Sequence, residues 1–161
     1  MSDQPSPGPV SGPSRRQAAR LAAVQALYQW QEGEHAPAEI VEQFLKVRTG
    51  ETGEGGMRRD ADRPLFKDVV EGTASHRDEL QAIVTAALAE GWTWARVDRL
   101  VRAILMAGAY ELLHRKDVPP RVAINEYVEV AHAFYDKGEP TFVNSVLDRV
   151  ARQARPAELA K

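Results

Sequence analysis

The sequence predicts an all-α fold. No stretch alternates apolar and polar residues with period two, and apolar side chains instead recur at helical spacing in seven segments. Proline, glycine or a capping residue separates most of those segments, which is how a chain of short packed helices is punctuated.

Residues 1–13 hold Pro5, Pro7, Pro9, Pro13, Gly8, Gly12 and three serines. Such a segment cannot bury enough apolar surface to offset its ordering entropy, so a disordered tail is expected. Ser14 and Gln17 then form an S-x-x-Q capping box that starts the first helix. Along it, Leu21, Val24, Leu27 and Tyr28 form a broad apolar face, read as the core face. Ala18, Ala19, Ala22, Ala23 and Ala26 lie nearly opposite. Small side chains there either let another helix approach closely or leave a flat surface for a partner.

Pro37 opens a second helix with Ile40, Val41, Phe44 and Val47 inward. Residues 48–60 contain four glycines without periodicity and read as a mobile loop. Asp62 and Pro64 start a third helix, with Leu65, Phe66, Val69 and Val70 inward and a break expected near Gly72 to His76. A fourth runs to about residue 90, with Leu80, Ile83, Val84, Ala87 and Leu88, and Gly91 stops it. The fifth covers about residues 95–116, and Val118-Pro119-Pro120 breaks it. A sixth helix follows over about 121–135 and a seventh over about 140–155, leaving 156–161 as a short tail. The folded domain is thus expected over 14–155.

A folded body of this size buries a full core without staples. Cysteine is absent, so disulfides, thiolate metal sites and Cys nucleophiles are excluded, which fits a reducing cytoplasm. No apolar run approaches the roughly 20 residues of a membrane span, and the N-terminus lacks the apolar region of a secretory signal. Formal net charge is −2, so any nucleic-acid contact must come from a local patch.

Two Glu-x-x-His pairs, Glu111/His114 and Glu129/His132, invite a di-metal reading. The helical wheel opposes it. Glu111 lies about 60° and His114 about 120° from the centre of the fifth helix's apolar stripe, and the second pair falls opposite the sixth helix's apolar arc. Solvated helix faces are the expectation, with no metal and no cofactor. His35 and His76 sit near helix ends without evident partners. The glycines from Gly50 to Gly56 lack the G-K-[ST] ending of a phosphate loop, and no catalytic motif is visible.

Arg15, Arg16 and Arg20 gather at the head of the first helix, where the macrodipole favours acids. That mild electrostatic cost points to an anion, with a phosphate backbone as the candidate, against the alternative of plain solvated charge. Arg149, Arg152 and Arg155 suit a helix C-terminus. Around residues 134–142 a turn is flanked by aromatics. Tyr135 and Lys137 are expected to be accessible and to contact RNA, and Phe134 and Phe142 either fill the core or stack on bases.

Four motifs taken together, ARLAAVQALYQW (19–30), RAILMAGAYELL (102–113), DVPPRVAINEYVEVAHAF (117–134) and FVNSVLDRVAR (142–152), occur in an order and spacing that resembles the bacterial transcription antitermination factor family NusB. The resemblance covers about residues 14–152. It implies two small helical bundles packed side by side and no catalysis. It also implies binding of single-stranded boxA RNA of ribosomal RNA operons with the ribosomal protein NusE, alongside other Nus factors and RNA polymerase. By position it assigns RNA contacts to Arg15, Arg16, Arg20, Phe142 and Asn144. It places Tyr28 and the fifth helix, with Val101, on the NusE-facing surface. Val101 stands where an acidic residue often occurs, Met106 where Arg is usual, and Ser145 replaces a glycine, while the bulky Tyr127 follows Asn125-Glu126.

Three arginines neutralising about three phosphates imply a salt slope near ~−2. On this reading, replacing all three with Ala weakens RNA binding and leaves thermal stability intact. Two other readings are a protein-only adapter and a domain of an RNA methyltransferase; for the latter, the chain reaches Lys161 with no cofactor-binding βαβ unit. Small-residue surface on the first helix also offers a route to a homodimer that would compete with NusE.

Overall fold

The structure is a computed structural model that describes residues 14–31, 33–46, 57–58 and 60–159. The tail expected at 1–13 and the glycine run from Gly50 to Gly56 lie outside the described residues. Among the described residues all regular structure is helical: α1 (Arg15–Trp30), α2 (Pro37–Lys46), α3 (Arg63–Ser75), α4 (Arg77–Ala86), α5 (Arg99–His114), α6 (Pro120–Phe134), α7 (Gly138–Ala154) and the single turn α8 (Pro156–Leu159). A 3₁₀ turn, Trp94–Arg96, precedes α5.

The helix starts follow the capping chemistry. The Ser14 hydroxyl accepts from the Gln17 backbone N–H, and Asp62 accepts from that of Leu65. Asp98 caps α5 by accepting from the Leu100 N–H, so α5 begins at Arg99 rather than near residue 95. The expected break appears at His76, which separates α3 from α4. Gly91 adopts φ +91 in the turn after α4, a conformation glycine takes without strain.

α1, α2 and α3 pack together as one bundle, and α5, α6 and α7 as a second. α1 also packs on α5 and α6, joining the two side by side. α5 is the central element, with buried residues on every side from Val101 to Leu112.

Three expectations need correcting. First, the buried face of α1 is wider than expected: Val24 and Leu27 are in the core as read, but Ala19, Ala23 and Ala26 are fully buried too, whereas Leu21 is only half-buried and Tyr28 is exposed. α1 is shared by both bundles, and methyl side chains let α3 and α5 approach it from two sides. That face is therefore unavailable for self-association. Second, Glu111 is completely buried instead of solvated; His114, Glu129 and His132 do reach the surface. Third, the short tail is partly folded. Leu159 is buried, and Arg155 holds the turn through Glu158 at 2.6 and 2.7 Å while donating to the Lys116 carbonyl.

α3 approaches α5 closely at Gly72, where an added Cβ would sit 2.2 Å from the Tyr110 ring. Gly72→Ala should therefore destabilise the protein by about 1–3 kcal/mol through overpacking, read as a lower midpoint in urea. The gain in helix propensity offsets only about 1 kcal/mol of that cost.

Candidate nucleic-acid and partner surfaces

The arginine cluster at the head of α1 divides. Arg15 and Arg16 are exposed. Arg15 donates to the Asp60 carbonyl at 2.8 Å, and Arg16 lies 3.7 Å from Asp62, a loose contact that water screens. Arg20 is 2% exposed and points the other way, into the core. Its Nε and Nη2 grip both oxygens of Glu111 at 2.8 and 2.9 Å, and Glu126 lies 3.6 Å from Nη1. The Tyr127 hydroxyl donates to the same Glu111 carboxylate at 2.6 Å. Burial works against the Arg20 charge, yet the hydrogen bond to Glu111 and its charge raise the Arg20 pKa above its ordinary value. Burial, followed by the Glu111 charge, likewise pushes the Tyr127 hydroxyl well up. Arg20 is thus no phosphate ligand: one carboxylate consumes its two-pronged face inside the protein. Position along the chain puts Arg20 at the helix head but cannot show Glu111 across the interior.

At the other end of α1, about 18 Å along the axis from Arg16 to Tyr28 at 1.5 Å per residue, lies an open groove of about 590 Å³. Tyr28, Gln25, Leu100, Phe134, Tyr135 and Asp98 line it. Tyr28 is 39% and Phe134 37% exposed, so both present ring surface. Phe134 therefore does not fill the core. Tyr135 is half-buried, with its hydroxyl donating to Asp98; burial, then that hydrogen bond, raise its pKa. This fixed ring sits beside Tyr28 in the groove.

Val101 does not reach this surface, being 2% exposed in the core. The exposed acidic group here is Asp98, the cap just ahead of α5, which the sequence reading missed. The signal was present as an N-cap aspartate directly ahead of a helix.

Beyond the groove, the α6–α7 turn exposes Lys137, and the first turns of α7 expose Asn144. Phe142 is half-buried, its ring 5.2 Å from that of Trp92. Trp92 is 42% exposed, and the Arg96 guanidinium covers it at 5.1 Å. Arg96 is held in place by donating to the Gly91 carbonyl at 3.2 Å. The result is an aromatic corner with a cation on top, built from the loop ahead of α5 and the head of α7. Trp92 and Arg96 were also missed, although GWTWAR interleaves aromatic and basic residues in plain view.

The other basic set is structural. Arg149 donates to the Ala87 carbonyl, Arg152 pairs with Asp148, and Arg155 is buried. The departures at Met106 and Tyr127 are buried as well, so they repack the interior rather than alter a surface. No helix among the described residues is long and apolar enough to cross a membrane.

Known proteins share this fold. The chain is 46% identical over 155 residues to the transcription antitermination protein NusB of Rhizobium etli, covering 96% of this chain and 97% of that one. It is 47% identical over 148 residues to the protein of the same description from Rhodopseudomonas palustris strain HaA2, covering 92% and 88%. The T. maritima NusB structure matches with a TM-score of 0.71 at 24% identity, over 92% of this chain and 99% of that one. A structure of antitermination factors NusB and NusE in complex with double-stranded RNA matches with the same TM-score of 0.71, over 86% and 97%. With the NusB family model matching residues 17–152 and these identities spanning nearly its whole length, the chain belongs to the NusB family.

Proposed function

We propose that this protein is a transcription antitermination factor that binds boxA RNA jointly with NusE. Arg15 and Arg16 supply phosphate contacts at one end of α1. Lys137, Asn144 and the Trp92–Phe142 corner supply further contacts beyond its other end, with the exposed rings favouring unpaired bases. The Tyr28 groove between them takes NusE, with Asp98 as its acidic contact. The observation that carries this reading is the groove, because it gathers the exposed rings of Tyr28 and Phe134 beside the exposed Asp98 carboxylate. The RNA and partner surfaces are then neighbours, so a partner docked on the groove adds its own RNA contacts at high effective concentration. Suppression of termination in ribosomal RNA operons would follow in the cytoplasm, within a complex that also holds RNA polymerase and other Nus factors.

The test is a titration of single-stranded boxA RNA against the protein with and without NusE, over a series of salt concentrations. Tighter binding with NusE is expected. Arg15→Ala with Arg16→Ala should weaken binding and shallow the salt slope by about 1.4, from two fewer neutralised phosphates at the single-strand coefficient. Thermal stability should barely move, since both side chains are exposed. An unchanged slope would remove the arginine pair from the RNA surface. Binding of NusE with no RNA affinity at any salt would instead make the protein an adapter.

A further inference from the structure

Away from both surfaces, the chain gathers two of its four histidines at the hinge between α3 and α4. The His76 and His114 rings lie 4.1 Å apart between centroids, and Glu79 joins them. One potential ligand atom from each of the three side chains falls within 4.8 Å of the others. They come from three places in the fold: the α3–α4 junction, the first turn of α4, and the last turn of α5.

The hydrogen bonds orient these donors. His76 Nδ1 lies 2.9 Å from the Gly72 carbonyl, an acceptor only, so Nδ1 carries the proton and Nε2 presents its lone pair. Metal-binding histidines are commonly held this way, with the second ring nitrogen anchored to a backbone carbonyl. His114 Nε2 faces Glu79 Oε1 at 2.9 Å. The Tyr110 ring stacks on His114 at 5.5 Å and fixes its plane. Arg115, the nearest cation in sequence to His114, is turned away onto Asp68 at 2.7 Å and towards Asp117. A divalent ion converts this cluster into a shared ligand set.

We propose that His76, Glu79 and His114 form a binding site for a divalent transition-metal ion of the zinc type. Two imidazoles and one carboxylate are a donor set that zinc accepts, with water completing the tetrahedron. On binding, His114 remains a neutral imidazole with its proton on Nδ1, and its Nε2 and the Glu79 oxygen turn from each other to the ion. The ion then ties the α3–α4 hinge to the end of the central helix, adding a clamp between the two bundles. This differs from the Glu-x-x-His pairing suggested by spacing: Glu111 faces the interior, and His114 finds its partners on other helices.

Zinc chloride titrated calorimetrically into the intact protein tests the site. One ion per chain is expected, with a rise in Tm of about 5–10 °C at saturation. His76→Gln and His114→Gln should each weaken binding by at least about tenfold. His35→Gln and His132→Gln should bind as the parent does. Histidine NMR on the unmutated protein gives an answer even if a variant folds poorly, because zinc should shift the His76 and His114 imidazole signals and spare those of His35 and His132. Absence of stoichiometric binding, retention of full affinity in both site variants, or shifts confined to His35 and His132 would each overturn the proposal.

Discussion

Arg20→Ala should cost the protein about 3–5 kcal/mol, because it strands the fully buried Glu111 carboxylate without its cation. For a domain of this length that is a fall in Tm of roughly 10 °C or more. Loss of the Arg20 side chain removes two charge-assisted hydrogen bonds at once, and leaves the Tyr127 hydroxyl as the carboxylate's remaining hydrogen-bond partner. The same network spans three helices, α1, α5 and α6, so its failure loosens the seam between the two bundles. The combination Arg20→Met, Glu111→Leu and Tyr127→Phe should recover much of the loss, since a buried ion pair exchanged for apolar groups of similar volume is often neutral. Thermal unfolding followed by circular dichroism reads both variants. A Tm for Arg20→Ala equal to the parent's would contradict the buried geometry. This outcome also replaces the expectation that removing all three arginines spares stability: Arg15 and Arg16 are the pair for which that holds.

The second large effect concerns RNA. Trp92→Ala should weaken binding of single-stranded boxA RNA by about 1–3 kcal/mol, on the order of ten- to a hundredfold in Kd, if one base stacks on this ring. Trp92 is the cleaner substitution because it is 42% exposed, whereas Phe142 is half-buried and its removal also disturbs packing. Arg96→Ala should give a smaller loss, as it removes only the cation over the Trp92 face. A duplex RNA, whose bases are already stacked, should be insensitive to Trp92→Ala. Equal single-strand affinity for parent and Trp92→Ala would dismiss the aromatic corner and leave the phosphate contacts as the whole of the RNA surface.

Helix order was legible because local chemistry writes it. Ser14, Asp62 and the Val118-Pro119-Pro120 break mark boundaries that depend on neighbours within a turn, whereas α4 ends at Ala86, short of the Gly91 stop. The 3.6-residue period marks the buried stripes of α2, α3, α4 and α7, each of which meets the core on one side. The same reasoning missed the buried alanines of α1 and Glu111 of α5, and for one reason. Both helices are packed from several directions, so their apolar arc no longer tells inside from outside. On α1 the tightest contacts demanded the smallest side chains, and on α5 a charge could enter the core because its partner came from another helix.

The exposure of the candidate site residues was legible in part. Tyr28, Lys137 and Asn144 stand at the surface where their motifs placed them, as do Arg15 and Arg16. The pairing of Trp92 with Phe142, of Asp98 with Tyr135 and of His76 and Glu79 with His114 needed the fold, because each joins residues far apart in the chain. By itself the sequence determined an all-helical chain and the family it resembles, since capping, periodicity and motif order are local and cumulative. Only the tertiary structure decided which arginines of the first helix face water. Burial of a charge is a pairwise matter, and for Arg20 it was settled by a carboxylate on another helix, 91 residues away.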